Sequence, residues 1–212
     1  MESSSDWSII SLDQILRRSV HSPLMSFTDK RKVAILVSTR ILQLYQTPWM
    51  PHMLSARDIV FLEKPSSPPH DVYNQVFVLH RCAATTKNTC RPEEVEVEAP
   101  TTHWQQDMTL FSLGLTLIEI LFGCIIFSRE GGRLSSDLVE HYTRAQNVYN
   151  EVRLQSENYY KAVVCCLEGK MRDNRGLQDE DGRHEVHEKV IKPLKKEVEM
   201  LKLFQFEELF EH

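Results

Sequence analysis

Apolar residues recur at steps of three and four along "TDKRKVAILVSTRILQLYQTPWM": Val33, Ala34, Val37, Ile41, Leu44 and Tyr45 fall on one side, Ser38, Thr39 and Gln43 on the other. This spacing predicts an amphipathic helix ending near Thr47–Pro48, because proline restricts the residue before it. Upstream, "SLDQILRRSV" has Ser11 followed three residues later by Gln14. That arrangement lets a cap side chain and an amide satisfy each other's backbone donors, and predicts a short helix. Two β-rich runs follow, Asp58–Lys64 and Gln75–Arg81, separated by the turn-rich "PSSPPHDVYN". They predict a β-hairpin with a long loop. The segment from Ala84 to Trp104 has no helical period, and its acidic alternation from Glu93 to Glu98 is assigned to a loop.

The most apolar stretch is "TLFSLGLTLIEILFGCIIF", Thr109 to Phe127, with Glu119 near its middle. Its length is at the lower edge of what crosses a bilayer. A central charge, Gly114 and Gly123, and flanks without a basic cluster or aromatic belt argue against a span. A helix apolar all round is equally what the centre of a helical domain requires. Buried there, Glu119 needs a partner, an arginine or backbone donors, because an isolated buried carboxylate is costly. Beyond it, Leu138, Tyr142, Ala145 and Tyr149 form a stripe on a long helix that Ser135 or Ser136 caps, and "SENYYKAVVCCLEGK" gives another helix, closed by Gly169. The last helix, "HEVHEKVIKPLKKEVEMLKLFQF", contains Pro193, which forces a kink or break.

Composition narrows the class further. The 212 residues are 42% hydrophobic and 26% charged, with 7 Gly and 9 Pro, as expected of an ordered globular chain. The formal charge of −5 offers no broad basic field for DNA, and the basic runs "DKRK" (Asp29 to Lys32) and Lys189, Lys192, Lys195 and Lys196 are assigned to solvated helix faces. "MESSSDWSII" has neither a basic n-region nor an apolar h-region, so a cytoplasmic location is expected. The 5 cysteines lack CxxC spacing and are assigned as reduced thiols, mostly in the core. The domain organisation expected is a disordered stretch 1–10, one domain over 11–204 and a tail over 205–212.

The segment order resembles the large lobe of a protein kinase. "ILQLYQTPWMPHMLSARDIVFL" is similar to a kinase helix running into the catalytic loop and the next strand. "FSLGLTLIEILFG" is similar to the kinase core helix that often reads S-L-G-x-x-x-x-E-x-x-x-G, with Ser112, Leu113, Gly114, Glu119 and Gly123 in matching places. "EAPTTHW" weakly resembles the Ala-Pro-Glu that closes an activation segment. A closer resemblance is to a fungal family of kinase-lobe remnants of unknown function, often found behind a helical signalling or prion-inhibition domain. It is carried by "SLDQIL", "YQTPWM", "DIVFL", "LFSLGLTLIEILFG", "YYKAVVCCL" and "HEKVIKPL", in this order over about Ser11 to Lys195. The resemblance implies a mainly α (α+β) fold, a kinase C-lobe-like helical bundle with one small β-hairpin.

Kinase chemistry needs an Asp for the substrate hydroxyl, an Asn and a second Asp for metal, and a lysine with a glycine-rich loop for phosphates. With Asp58 matched to the Asn ahead of the strand, the base position falls at Met53. With Arg57-Asp58 matched to the catalytic-loop Arg-Asp, the strand follows too soon. No Asp-Phe-Gly follows "QVFVLHR", and Thr109 replaces the aspartate that opens the core helix, with Asp107 two residues early. The stretch before Ser11 leaves no room for a small lobe. The expectation is therefore a non-catalytic interaction or accessory protein, not an active kinase, with a protein partner and no cofactor.

Other candidate sites are few. "HEVHE" (His184 to Glu188) is not HExxH, so it is assigned as a solvated helix start and no metal site is expected. Trp49 is assigned as a core plug beneath a turn, and Glu119 and Asp58 as structural carboxylates. The enzyme alternative is a small fungal aminoacyl-tRNA-dependent cyclodipeptide synthase joining arginine to a second residue. Such enzymes carry D-D-x-x-E, and this chain offers only near misses: "SDLVE" (Ser136 to Glu140), and "DEDGRHE", whose candidates are Asp179, Glu180, Asp181 and Glu185. A bound tRNA belongs to that alternative alone.

Overall fold

The computed structural model describes residues 7–17, 25–45, 47, 49–50, 53–64, 69–79, 108–127, 134–168 and 180–207. The chain is mainly helical with a small antiparallel sheet. Strand β1 (Ser8–Ser11) leads into helix α1 (Leu12–Arg17), then α2 (Phe27–Leu44), β2 (Ile59–Glu63), a 3-10 helix Pro69–Asn74 and β3 (Phe77–Val78). The second half is α3 (Met108–Phe122), α4 (Leu134–Asn147), α5 (Tyr149–Gln155), α6 (Glu157–Glu168), α7 (Glu180–Val186), a π turn His187–Ile191 and α8 (Lys192–Glu207).

The expected hairpin is present as β2 and β3, with Ile59 opposite Val78 and Val60 opposite Phe77. It carries a third strand. Ser8 to Ser11 pairs antiparallel with β2, Ile10 opposite Phe61 and Ser11 opposite Val60. Ser8, Ile9 and Ile10, expected in a disordered stretch 1–10, therefore lie in a strand. The reason is physical: a two-stranded hairpin is marginal alone, and Ile10 buries beside Phe61 when a third strand completes the layer. At the end of β1 the predicted cap forms, Ser11 N donating to Gln14 Oε1 at 2.8 Å and Gln14 N to Ser11 Oγ at 3.2 Å.

Helix α3 is the axis of the core, buried from Thr109 to Leu121. Among the described residues no helix is long and apolar enough to cross a membrane. Its closest neighbour is α6. A Cβ on Gly114 would stand 2.7 Å from Leu167 Cγ and 3.0 Å from Cys166 Cβ, so only glycine allows this approach. Tyr159 of α6 donates its hydroxyl to the Leu117 carbonyl at 2.8 Å, which supplies the polar tip of a fully buried ring. The helix stops at Gly123, in the left-handed region at φ 73°, whose N–H returns to Glu119 O at 2.8 Å. Lys30 Nζ donates to Leu121 O at 3.2 Å and closes the same terminus.

Several sequence expectations change. "DKRK" is not a solvated face, because Asp29 and Arg31 are buried. Asp29 completes a reciprocal cap with Ser26: Ser26 N donates to Asp29 Oδ2 at 3.2 Å and Asp29 N to Ser26 Oγ at 3.1 Å. Arg31 Nε meets Glu197 Oε1 of α8 at 3.0 Å. Ser38, expected on the polar side of α2, is also buried and returns its hydroxyl to Ala34 O at 2.8 Å. Trp49 is 65% exposed, so it does not plug the core; α2 ends at Leu44 and the chain carries Trp49 past the packed face. The long helix predicted around Tyr142 is two, broken at Val148 (φ −99°, ψ 1°). Gly169 lies outside the described residues. Pro193 sits just after the π turn, where Lys192 N donates five residues back to His187 O, so the helix continues through a residue with no amide to give.

Candidate functional site: a charged cavity at the end of the sheet

The turn before β2 is built by Asp58. Its Oδ2 accepts from Ser55 N at 2.9 Å and Ser55 Oγ at 2.5 Å, while Asp58 N donates back to Ser55 O at 2.9 Å. Asp58 O in turn accepts from Leu79 N at 2.7 Å beside β3. The turn is tied to α3 by Ser112, whose hydroxyl accepts from Leu54 N at 3.0 Å and donates to Thr109 O at 2.9 Å. On the other side α1 is fixed by Asp13 N, which donates to Ala56 O at 2.9 Å.

These three anchored pieces enclose a cavity of about 210 Å³. Its charged lining comprises Asp13 and Arg17 of α1, Arg57 and Asp58 of the turn, and Glu119 of α3; Leu115, Ile125 and Phe127 supply an apolar wall. Glu119 is buried, and its Oε1 accepts from Ile126 N at 3.1 Å and Phe127 N at 2.9 Å. The carboxylate thus folds the chain after Gly123 back over the helix end. Asp13 takes both arginines: Arg17 Nε reaches Oδ2 at 2.9 Å, and Arg57 Nε lies 3.6 Å from Oδ1. Both arginine side chains are 49% exposed.

Glu119 and Asp58 therefore belong to one site, together with Asp13, Arg17 and Arg57, which sequence reasoning did not single out. The signal was faint: Asp13 and Arg17 are four apart on one helix, and Arg57 stands beside Asp58, but nothing in the sequence brings α1 to the turn. The four acidic candidates of the enzyme alternative lie elsewhere. Asp179 lies outside the described residues, and Glu180 and Asp181 are exposed in the first turn of α7. Glu185 pairs with Lys189 at 2.5 Å. None of the described three lines the cavity.

In "HEVHE", His187 Nδ1 lies 3.5 Å from Glu188 Oε1, and the hydrogen bond from Lys192 holds the Glu188 carboxyl below its usual range. Among the described residues no group of three or more His, Cys, Asp or Glu is placed to hold a metal ion.

A second surface adjoins the same sheet. Side chains alternate along a strand, so Trp7, Ile9 and Ser11 share a face with Val60 and Leu62 of β2 and with Phe77 and Leu79. Ile10, Ile59 and Phe61 turn inward and are buried. On the outward face Val60 is buried between Ser11 and Phe77, but Trp7 (56%), Ile9 (63%), Phe77 (41%) and Leu79 (41%) are exposed.

No curated protein and no solved structure matches the chain. A family model described as a domain of unknown function, DUF7580, matches residues 1–200, from before β1 to within α8. That match takes in the sheet, the cavity and the helical core together, and the chain belongs to the DUF7580 family.

Proposed function

We propose that this chain is a non-catalytic interaction or accessory protein, a kinase-lobe remnant working in the cytoplasm, whose partner is another protein that covers the outward face of the sheet. The observation that carries the reading is that face: large apolar side chains exposed on both edge strands of one layer, with Val60 and Leu62 between them, where scattered single exposures would need no explanation. The partner this face fits presents apolar side chains of its own opposite Ile9, Leu62, Phe77 and Leu79, while at the edge the Lys64 ammonium stands 5.8 Å over the Trp7 ring. The kinase-lobe origin rests on the ordered sequence segments, and the absence of phosphotransfer on the missing Asp-Phe-Gly and the unmatched base position at Met53.

Photo-cross-linkers placed at Ile9 and Phe77, with the exposed helical Leu154 as control, test the surface in cells. The reading expects one protein captured from both sheet positions and not from Leu154. That protein, purified, binds the wild-type chain directly and loses binding to Ile9→Lys and Phe77→Lys. Equal capture at Leu154, or unchanged affinity in both variants, overturns it. A concentration-dependent dimer abolished by the same variants assigns the face to a second copy and also overturns it. The non-catalytic half is tested separately: ATP–magnesium stabilisation in a thermal-shift assay, with phosphate transfer abolished by Asp58→Ala, would remove it.

A further inference from the structure

We propose that the free edge of β1 receives an extended segment of the partner protein, apolar at alternate positions, which adds a strand to the sheet; the proposal rests on the outward face being a protein-binding surface and says how the partner's backbone is held.

The direction of the backbone groups follows from the hydrogen bonds around the sheet. In an antiparallel pair, residues directly opposite alternate between exchanging both backbone bonds and exchanging none. Leu79 N donates to Asp58 O, so Asp58, Val60 and Leu62 turn their backbone groups to β3, and Ile59, Phe61 and Glu63 turn theirs to β1. Ser8 lies opposite Glu63 and Ile10 opposite Phe61, so both face β2. Ile9 lies opposite Leu62, whose groups face away, and its own N–H and C=O therefore point out of the sheet. Ser11, in the same phase as Ile9, gives an independent check: its N–H goes not to Val60 but to Gln14 Oε1 at 2.8 Å. Among the described residues no hydrogen bond takes up the outward groups of Ile9.

Exposed edge strands are ordinarily blunted by a charged side chain, a proline or a bulge. Strand β1 reads Ser-Ile-Ile-Ser, has none of these, and keeps an unbroken register with β2 from Ser8 to Ser11. The opposite edge, β3, is only 2 residues long and offers an incoming strand less. A donor and an acceptor spaced as in a strand are complemented together by the backbone of an extended chain, which is why the occupant is a peptide segment. Gln14 holds Ser11 N–H and α1 begins at Leu12, so the added strand stops beside Ile9 and runs toward Trp7. Trp7 and Ile9 are exposed, and residues laid beside them extend the apolar layer that Leu62 and Phe77 continue across the sheet. Those residues of the partner are therefore apolar, β-branched or aromatic.

Amide hydrogen exchange followed by NMR tests the edge in the full chain. Without any addition, Ile9 N–H is expected to exchange fast while Ile10 N–H is protected; equal protection of the two overturns the proposal. The probes are short acetylated peptides with isoleucine at alternate positions and threonine between, against the same peptides with proline in place of threonine. Saturable shifts and slowed exchange at Ile9, with Ile10 unchanged, are expected from the threonine peptides alone. No response at Ile9, or an equal response to the proline peptides, overturns the proposal. Ile9→Pro removes the outward donor and is expected to bind roughly tenfold more weakly than Ile9→Ala, which keeps it, the loss of one backbone hydrogen bond. Protection retained at Ile10 shows that the sheet stands in both variants, and equal binding by them overturns the proposal. On the protein captured through the outward face, loss of binding by Phe77→Lys with equal binding by Ile9→Pro and Ile9→Ala keeps the face and overturns strand addition. Peptide saturation with no protein captured does the reverse: it removes the reading of the face and leaves the edge as a strand receptor. Protection of Ile9 that rises with the concentration of the chain alone assigns the edge to a second copy and overturns the proposal.

Discussion

Arg31 and Glu197 form the most consequential ion pair in the core, and their replacement gives a quantitative test of how α2 is held to α8. Arg31 is 1% exposed and its Nε lies 3.0 Å from Glu197 Oε1. At that distance, an effective dielectric of about 20 gives an attraction of roughly 5 kcal/mol before desolvation of either ion is subtracted. Among the described residues Arg31 Nη1 and Nη2 have no hydrogen-bond partner; the guanidinium lies 3.8 Å from the Phe27 ring centroid and 5.2 Å from that of Tyr159. Glu197 also accepts from Ser156 Oγ, and that hydroxyl accepts Tyr159 N at 3.0 Å, so the network reaches the first turn of α6.

Glu197→Ala removes the one carboxylate that, among the described residues, pairs with this fully buried cation, and truncation of one member of such a pair typically costs about 3–5 kcal/mol. For a chain of this size that corresponds to a fall in Tm of about 10 °C. Arg31→Met costs less, about 2 kcal/mol, because Glu197 keeps Ser156 and the Met side chain refills the apolar stem. The double variant Arg31→Met with Glu197→Leu removes both charges and leaves close-packed apolar groups, so it returns to within about 2 kcal/mol of wild type. Urea unfolding followed by circular dichroism, analysed as a double-mutant cycle, reads all three. Additive losses, or a Glu197→Ala loss below about 1 kcal/mol, would show that the pair is solvated and does not bind the helices together.

Gly114→Ala drives a Cβ to 2.7 Å from Leu167 Cγ and is expected to cost about 1–3 kcal/mol of overpacking, while the further variant Leu167→Ala in its presence recovers part of that loss; denaturant midpoints check both. Glu119→Ala orphans Ile126 N and Phe127 N and is expected to cost about 2–3 kcal/mol, whereas Glu119→Gln retains an acceptor oxygen and costs less; hydrogen exchange at those two amides shows which bond is lost. Burial pushes the Cys165 thiol up to about 11 from 9.0, so the folded chain holds its proton more tightly than the unfolded one. Its stabilising contribution is complete below pH 9 and is lost as the pH rises through about 11. Unfolding free energies of wild type minus Cys165→Ala across that window should fall with pH, and a flat difference would refute the burial argument.

The helices α2 and α3 were legible because the periodicity of one and the all-round apolar run of the other are decided within one element. The Ser11–Gln14 cap was legible for the same reason: both partners lie in one four-residue word. What escaped was decided between elements. The local word "DKRK" is charged, and nothing in it indicates that Arg31 faces Glu197, 166 residues away. Strand β1 escaped because "SII" has no alternation to count, and its pairing exists only once β2 is opposite. The burial of Glu119 was legible from its apolar surroundings, but its partners, the amides of Ile126 and Phe127, depend on the left-handed turn at Gly123. The cavity was least legible, since α1 and the Ser55–Asp58 turn are separated by the whole of α2.

Separation of core from site follows from this division. The contacts that order the chain run through α3, α6 and α8: Gly114 against Leu167, Tyr159 on Leu117 O, Arg31 on Glu197. The candidate surfaces lie at the periphery, where Arg17 and Arg57 are half exposed and Phe77 and Ile9 project outward. Substitutions there remove little buried area and are expected to stay within about 0.5 kcal/mol of wild-type stability. A change in binding by those variants therefore reports on recognition, whereas loss of binding by core variants reports on the fold. Asp13 and Glu119 stand at the junction, since each both lines the cavity and holds backbone or side-chain donors in place. For these two residues a change in binding is read only beside the stability of the same sample, because removing either charge also loosens the scaffold that holds α1 or the chain after Gly123.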